Sequence, residues 1–110
     1  MIPYTDFTRL LIDVSECKDI DSYIAEVGGS VPLDNVDDVI QLLTTIWEMG
    51  KGGLTVKSIA SAVDISMRQL AMTYGLPYRT VQDWAAGARK PPEWQMPLIA
   101  YAVLSDMIGD

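Results

Sequence analysis

The chain has 110 residues, of which 49% are hydrophobic, and its formal net charge is -7 at pH 7. This length suits one small domain, or a small domain with an appended subdomain, and the apolar content is enough for a core. With no histidine and a single cysteine, Cys17, the sequence excludes an internal disulfide and offers no metal-ligand cluster. No apolar run approaches the roughly 20 residues of a membrane span, and the N-terminus, MIPYTDF, lacks the segments of a secretory signal. We therefore expect a cytoplasmic protein.

Apolar residues at helical spacing predict two amphipathic helices near the N-terminus. Thr5 is the expected N-cap of the first helix and Asp19 that of the second. Gly28 and Gly29 are expected to end the second helix, because glycine adopts the left-handed conformation at little cost. The two apolar faces comprise Phe7, Leu10, Leu11 and Val14, and then Ile20, Tyr23, Ile24 and Val27.

A third helix is predicted to begin at Asp34 or Asn35, and its apolar stripe is the longest regular one in the chain. The glycine-rich segment 50–53 ends it and marks a predicted boundary between regions 1–50 and 51–110. Region 1–50 has ten acids and two bases, whereas region 51–110 has six bases and five acids. Because about 50 residues make a marginal core, we expect region 1–50 to pack on the rest of the chain or on a second copy. The stripe comprises Val36, Val39, Ile40, Leu43, Ile46 and Trp47.

Region 51–110 predicts four further helices, and no run of alternating polarity is long enough for a strand. Thr55 is the expected cap of the first helix and Ser66 that of the second, with Gln69 at the spacing of a capping box. Pro91 and Pro92 are expected to open the last helix. The side chains expected to pack inward are Val56, Ile59, Ala60, Val63, Leu70, Ala71, Val81, Trp84, Trp94, Leu98, Ile99, Tyr101, Ala102 and Ile108. The fold class is therefore predicted to be all-α.

The segment from Ile65 to Pro92 has the layout of a helix-turn-helix. A short helix leads to a turn around Gly75, where the backbone must tolerate positive φ. A second helix begins near Pro77 and ends at Gly87, before a basic loop. The small side chain of Ala71 allows the two helices to cross closely. The second helix of such a pair can lie in the DNA major groove.

Outward-facing residues of this second helix are the predicted base readers, because their side chains can reach base edges. Arg79 can pair with guanine O6 and N7, Gln82 can pair with adenine, and Asp83 can accept a hydrogen bond from a cytosine amino group. Tyr78 can contact a thymine methyl group or a phosphate. Predicted phosphate contacts set the register without reading sequence. They are Arg68, Gln69, Thr80, Arg89 and Lys90.

The segment resembles the lambda-repressor and Cro family of helix-turn-helix proteins, of the xenobiotic-response-element type. The resemblance implies a compact five-helix DNA-binding domain, here preceded by about three helices, that acts as a homodimer on a palindromic operator. The likeness covers about residues 55–104. By matched position, the family's base-reading positions fall on Tyr78, Arg79 and Asp83. Met67 stands where the family has a phosphate-bonding glutamine, and Ala85 where it often has a glutamate. The residues that carry the likeness are Arg68-Gln69-Leu70-Ala71, Gly75-Leu76-Pro77, Arg79-Thr80-Val81, Trp84, Gly87 and Arg89-Lys90-Pro91-Pro92.

The predicted function is a sequence-specific transcriptional regulator, a repressor, that binds double-stranded DNA. The alternative is an antitoxin-like or adaptor module whose acidic N-terminal helices bind a basic protein partner. Catalysis is not expected, because there is no glycine-rich phosphate loop. Neighbouring carboxylates such as Asp37 and Asp38 also point to different sides of a helix. We predict no cofactor, no metal and no membrane contact.

Overall fold

The computed structural model describes residues 2–31, 33 and 35–108, and within these residues the regular structure is helical throughout. A 3₁₀ turn at Gly28–Ser30 follows the second helix. Nowhere in the described part does a helix combine the length and apolar character needed to cross a membrane. The predicted all-α class is confirmed. The helices are α1 (Tyr4–Glu16), α2 (Ile20–Val27), α3 (Val36–Gly50), α4 (Val56–Ala62), α5 (Met67–Thr73), α6 (Tyr78–Ala86) and α7 (Gln95–Ile108).

Two predicted N-caps in the first half are confirmed. Asp19 accepts a hydrogen bond of 2.8 Å from the Ser22 hydroxyl and two from backbone N–H groups, at 3.1 and 3.4 Å, where α2 begins. These bonds, that of the Ser22 hydroxyl first, hold the pKa of Asp19 below its ordinary value because they favour the charged carboxylate. Asn35 accepts a backbone hydrogen bond of 2.8 Å in the first turn of α3. Asp34, the alternative predicted start of α3, lies outside the described residues.

In the first half, one predicted helix start is wrong, and one predicted helix end, at Gly28, is right in position but not in conformation. The helix α1 begins one residue before Thr5, with Pro3 at the cap position and no capping side chain. The proline ring already fixes φ near the helical value, and the chain enters the helix directly from it. After α2, Gly28 has φ of -55° rather than a left-handed conformation. The chain instead tightens into the 3₁₀ turn Gly28–Ser30, a common way to satisfy the last carbonyl groups of a helix.

The predicted caps of α4 and α5 are confirmed. At α4, the Thr55 hydroxyl accepts from the Ser58 N–H at 3.0 Å and the Ser58 hydroxyl accepts from the Thr55 N–H at 2.9 Å, which makes a reciprocal capping box. At α5, the Ser66 hydroxyl accepts from the Gln69 N–H at 3.0 Å. A full capping box would also need the Gln69 side chain to accept from the Ser66 N–H. No such hydrogen bond occurs among the described residues. Local polar residues therefore fix where both helices begin.

The glycine-rich segment 50–53 combines a close helix contact with a sharp turn. Gly50 is the last residue of α3 and faces α1, since a Cβ atom there would collide with Ser15 Oγ and lie 3.3 Å from Leu11 Cδ1. Gly53 has φ of +101°, which side chains with a Cβ rarely tolerate. The segment thus lets α3 approach α1 and then redirects the chain into α4.

The core is centred on α3, which packs against α1, α2, α4 and α7. Its buried face differs from the predicted stripe: Leu42 is fully buried, whereas Val36 and Ile40 are 71% and 42% exposed. The difference arises because α7 covers a side of α3 that the stripe did not include. There Thr45 contacts Met107, with Oγ1 3.9 Å from Sδ. The buried arc is therefore rotated away from Val36 and towards Leu42 and Thr45.

One continuous apolar core joins region 1–50 to the rest of the chain. The ring of Tyr101 on α7 meets the rings of Tyr4 and Phe7 on α1 edge-on, with centroids 5.2 and 5.3 Å apart. The Tyr101 hydroxyl also donates a hydrogen bond to the carbonyl of Ile2. Region 1–50 thus packs on the helices that follow it, while the division at residue 50 stays a prediction.

The C-terminal segment differs from the predictions in two ways. Residues 51–108 form the four α-helices that the apolar pattern predicts, not the five that the resemblance implies, since the segment 87–94, with its two prolines, contains no helix. Trp94 precedes α7 and is 63% exposed, and Leu98 is 43% exposed, so their predicted core positions are wrong. The first helical residue of α7 is Gln95, and this start sets the buried face. That face consists of Met96, Ile99, Ala100, Val103 and Leu104.

The register of α3 can be tested by two truncations. Leu42→Ala should lower the free energy of unfolding by about 2–5 kcal/mol, because it removes a fully buried side chain. Ile40→Ala, the matched control at a partly exposed site, should cost less than about 1 kcal/mol. Urea denaturation of both variants measures the difference. A larger loss for Ile40→Ala would contradict the register described here.

Candidate nucleic-acid interface

The helices α5 and α6 form the predicted helical pair, joined by a short turn. Gly75 adopts φ of +67°, and the Leu76 N–H donates to the carbonyl of Ala71 at 2.9 Å, which closes the turn. Pro77 occupies the cap position of α6. Leu70, Ala71 and Val81 are buried between the helices. Gly87 ends α6, as predicted, and does so in the left-handed conformation, with φ of +78°.

A hydrogen bond that the sequence did not predict fixes the turn to α7. The hydroxyl of Tyr74, the residue after α5, donates to Asp106 Oδ2 at 2.6 Å. Burial, followed by the hydrogen bond and charge of Asp106, raises the pKa of Tyr74 above its ordinary value. The two residues are 32 positions apart, so no local pattern could have revealed the contact.

The outer face of α6 is open to solvent. Val81 is buried on the inner side, where α4 and α5 pack, whereas Arg79 and Gln82 are exposed on the outer side. The side chain of Arg79 is 85% exposed. Two of the predicted base readers therefore project from a helix whose opposite side is held in the protein.

Asp83 lies between two arginines. Its Oδ1 atom is 3.5 Å from Arg79 Nε and its Oδ2 atom is 3.8 Å from Arg89 Nε. The backbone carbonyl of Asp83 also accepts from the Ala88 N–H at 2.9 Å. Ion pairs this exposed add little to stability, but they place both guanidinium groups beside one carboxylate. Two predicted base readers, Arg79 and Asp83, and one predicted phosphate contact, Arg89, thus form one cluster.

Arg68 and Tyr78 form a second cluster at the start of α6. The guanidinium carbon of Arg68 lies 4.3 Å from the centroid of the Tyr78 ring, which is cation–π geometry. The Tyr78 ring is half-buried, and the guanidinium group of Arg68 packs on it. The two side chains were predicted separately, as a phosphate contact and a base reader, and the structure brings them together.

The other predicted phosphate contacts are distributed around the pair. Lys90 is exposed in the loop after α6, and Thr80 is half-buried on α6. Gln69 is exposed and lines a depression of about 270 Å³ between α5 and α7, together with Tyr74 and Asp106. Gln69 therefore lies apart from the cluster of Arg68 and Tyr78.

A cation outside the predicted segment also lies beside α6. Lys57 on α4 is exposed and lines a shallow depression of about 350 Å³ with Tyr78 and Gln82. Lys57 is not among the predicted contacts, because α4 precedes the helical pair. The sequence could have indicated this exposed lysine, because Lys57 falls on the polar side of α4, away from the buried residues Val56 and Ile59.

Within residues 2–31, 33 and 35–108, no group of three or more acidic or cysteine side chains is arranged to hold a metal ion. No family model, curated protein or solved structure matches the chain. The resemblance to the lambda-repressor and Cro family therefore stays a prediction, and function has to be inferred from the residues and their geometry.

The contact between the turn and α7 predicts a pH-dependent contribution to stability. At pH 7, Tyr74→Phe should lower the free energy of unfolding by about 1 kcal/mol, because it removes the hydrogen bond to Asp106. The folded chain favours the neutral phenol. The contribution is therefore complete below the unfolded-state pKa of about 10 and is lost as pH rises above it.

Urea denaturation of both proteins at pH 7 and at successive alkaline pH values measures this effect. Tyr4→Phe is the matched control, since the Tyr4 hydroxyl has no hydrogen-bond partner among the described residues. A difference between wild type and Tyr74→Phe that stays constant above pH 10 would contradict the assignment.

Proposed function

We propose that the chain is a sequence-specific transcriptional regulator that binds double-stranded DNA with α6 as its recognition helix. The observation that carries the proposal is the exposed outer face of α6, with Arg79 85% exposed at its centre and Arg89 beside it. In this proposal α4 to α7 make up the DNA-binding region, and α3 supports it by packing against both α4 and α7.

The dimensions of α6 support insertion into DNA. An α-helix with its side chains is roughly 10–12 Å across, and the major groove is about 12 Å wide. With nine residues, α6 is about 13 Å long. It therefore spans about four base pairs at roughly 3.4 Å each. One copy reads too short a sequence for high specificity, which is why we propose a homodimer on a palindromic operator.

The ion pairs of Asp83 suggest how Arg79 would read a base. The contact with Asp83 engages Nε of Arg79 and leaves the N–H groups of its two terminal nitrogens for guanine O6 and N7. Asp83 is then a positioning residue for Arg79, in addition to its predicted contact with a cytosine amino group. Its second oxygen restrains Arg89 towards the same face.

The charge distribution supports binding to a polyanion at this end of the molecule. Residues 68–90 contain four bases and one acid, Asp83, although the whole chain carries -7. Exposed acids elsewhere are screened beyond about 8 Å at physiological salt. Arg68, Gln69, Thr80, Arg89 and Lys90 are the proposed phosphate contacts. We expect modest affinity for any duplex and higher affinity for the operator.

A second candidate function is a protein-interaction module, and one surface favours it. An apolar depression of about 350 Å³ lies between α2 and α3 and includes Ile24, Val36 and Ile40. The residues that line it belong to region 1–50, where two bases and ten acids give a net charge of -8. A second copy would be repelled by this charge, whereas a basic amphipathic helix of another protein would be attracted. In this alternative, an antitoxin-like or adaptor role, DNA binding by α6 would be autoregulatory.

The role of Arg79 can be tested on a duplex taken from upstream of the chain's own gene. Arg79→Ala should cost about 1–3 kcal/mol of binding free energy, and discrimination should be lost at one base position. Fluorescence anisotropy against single-base variants of the duplex measures both effects. Arg9→Ala on α1, another exposed arginine, is the control and should leave the base preference unchanged. Equally weak affinity for every duplex, unaffected by Arg79→Ala, would contradict the proposal.

A further inference from the structure

We infer that Lys57 is an additional phosphate-binding residue, which holds the DNA strand along the edge of α6 opposite to Arg89. The inference rests on the proposed DNA-binding function and extends its footprint onto α4.

The two edges of the outer face of α6 are defined by helix geometry. Successive residues are about 100° apart around a helix, so Arg79 and Ala86 share the centre of the face that lies opposite the buried Val81. Gln82 is then on one side of this centre and Asp83 on the other. Any strand of DNA that runs past α6 therefore passes either the Gln82 edge or the Asp83 edge.

Each edge has its own cation. On the Asp83 edge, Arg89 Nε is 3.8 Å from Asp83 Oδ2. On the other edge, Lys57 lines the depression of about 350 Å³ that Tyr78 and Gln82 also line. Met67, Ala85 and Ala86 complete this depression.

Cations on both edges are what a helix in the major groove requires. The groove is bounded by two phosphate backbones about 12 Å apart, so an inserted helix has a row of phosphates on each side. Arg89 lies on the Asp83 side only. On the Gln82 edge, Arg68 is stacked on Tyr78 near the start of α6, and a further cation is needed alongside Gln82. Lys57 supplies that cation.

The surroundings of the Lys57 ammonium group suit this role. Among the described residues, no carboxylate lies within 4.0 Å of it. Lys51, the nearest lysine in sequence, is engaged, because its Nζ atom is 3.2 Å from Glu48 and 4.3 Å from the centroid of the Trp47 ring. Lys57 also borders a second, open depression of about 410 Å³ towards Gly52 and Gly53. Lys57 therefore lies between two open depressions, and its ammonium group is accessible from solvent.

Salt dependence of duplex binding tests the inference. For Lys57→Gln, the slope of log affinity against log salt concentration should be smaller by about 0.9, the value for one phosphate contact. Near 0.1 M salt this corresponds to a roughly five- to tenfold loss of affinity for every sequence alike. Base preference should not change, and Lys57→Arg should retain the wild-type slope. Lys18→Gln, the same charge change at an exposed lysine between α1 and α2, should have no effect on the slope.

The outcomes separate the two proposals. If the wild-type chain binds DNA and Lys57→Gln keeps the wild-type slope, the role of Lys57 is refuted and the proposed function stands. If Lys57→Gln instead changes base preference, Lys57 is not a phosphate contact. If the wild-type chain binds no duplex even at low salt, the proposed function fails and this inference fails with it. An unchanged unfolding midpoint for Lys57→Gln shows that a reduced slope does not come from unfolding.

Discussion

The arrangement of the molecule depends on the burial of α3. This helix packs against α1, α2, α4 and α7, and its residues Leu42, Leu43, Ile46 and Met49 are fully buried. Because α3 occupies the centre, α4 is fixed against it, and α5 and α6 are attached in turn to α4. The recognition helix of our proposal is therefore at the periphery, where Val81 secures one side and the other side faces solvent.

The same arrangement separates charges along the chain. The helices α1 to α3 carry most of the acids, whereas the arginines that follow Gly53 gather around α6. Asp83 is the exception, and its position between Arg79 and Arg89 turns an unfavourable charge for DNA into a means of orienting two cations. In the proposed complex, the distance from the acidic helices and the screening by salt limit their repulsion of phosphate.

The features that sequence analysis predicted well depend on neighbours within about four residues. Asp19, Thr55 and Ser66 cap helices because their side chains bond to N–H groups of the next turn, and Gly75 and Gly87 adopt positive φ where the chain turns. The overall helical class and the pair α5–α6 follow from these signals.

The features it missed depend on partners distant in sequence. The burial of Thr45 on α3 involves Met107 of α7, 62 residues away. The exposure of Trp94 depends on where α7 begins. Within the candidate interface, the contacts of Tyr74 with Asp106 and the place of Lys57 beside Gln82 require the tertiary fold. The sequence alone predicted that Arg79 and Gln82 face outward, but not that Tyr78 is half-buried beside Arg68 or that Asp83 contacts two arginines.

Selection of bound duplexes from a random pool tests the central claim most directly, since it presupposes no operator sequence. If α6 is a recognition helix, repeated rounds with the wild-type chain should enrich a short motif that contains a guanine at a fixed position, and Arg79→Ala should lose the preference for that guanine. A homodimer should enrich two inverted copies of the motif. A pool that stays random after repeated rounds, although the folded protein retains duplexes at low salt, would contradict sequence-specific recognition by α6.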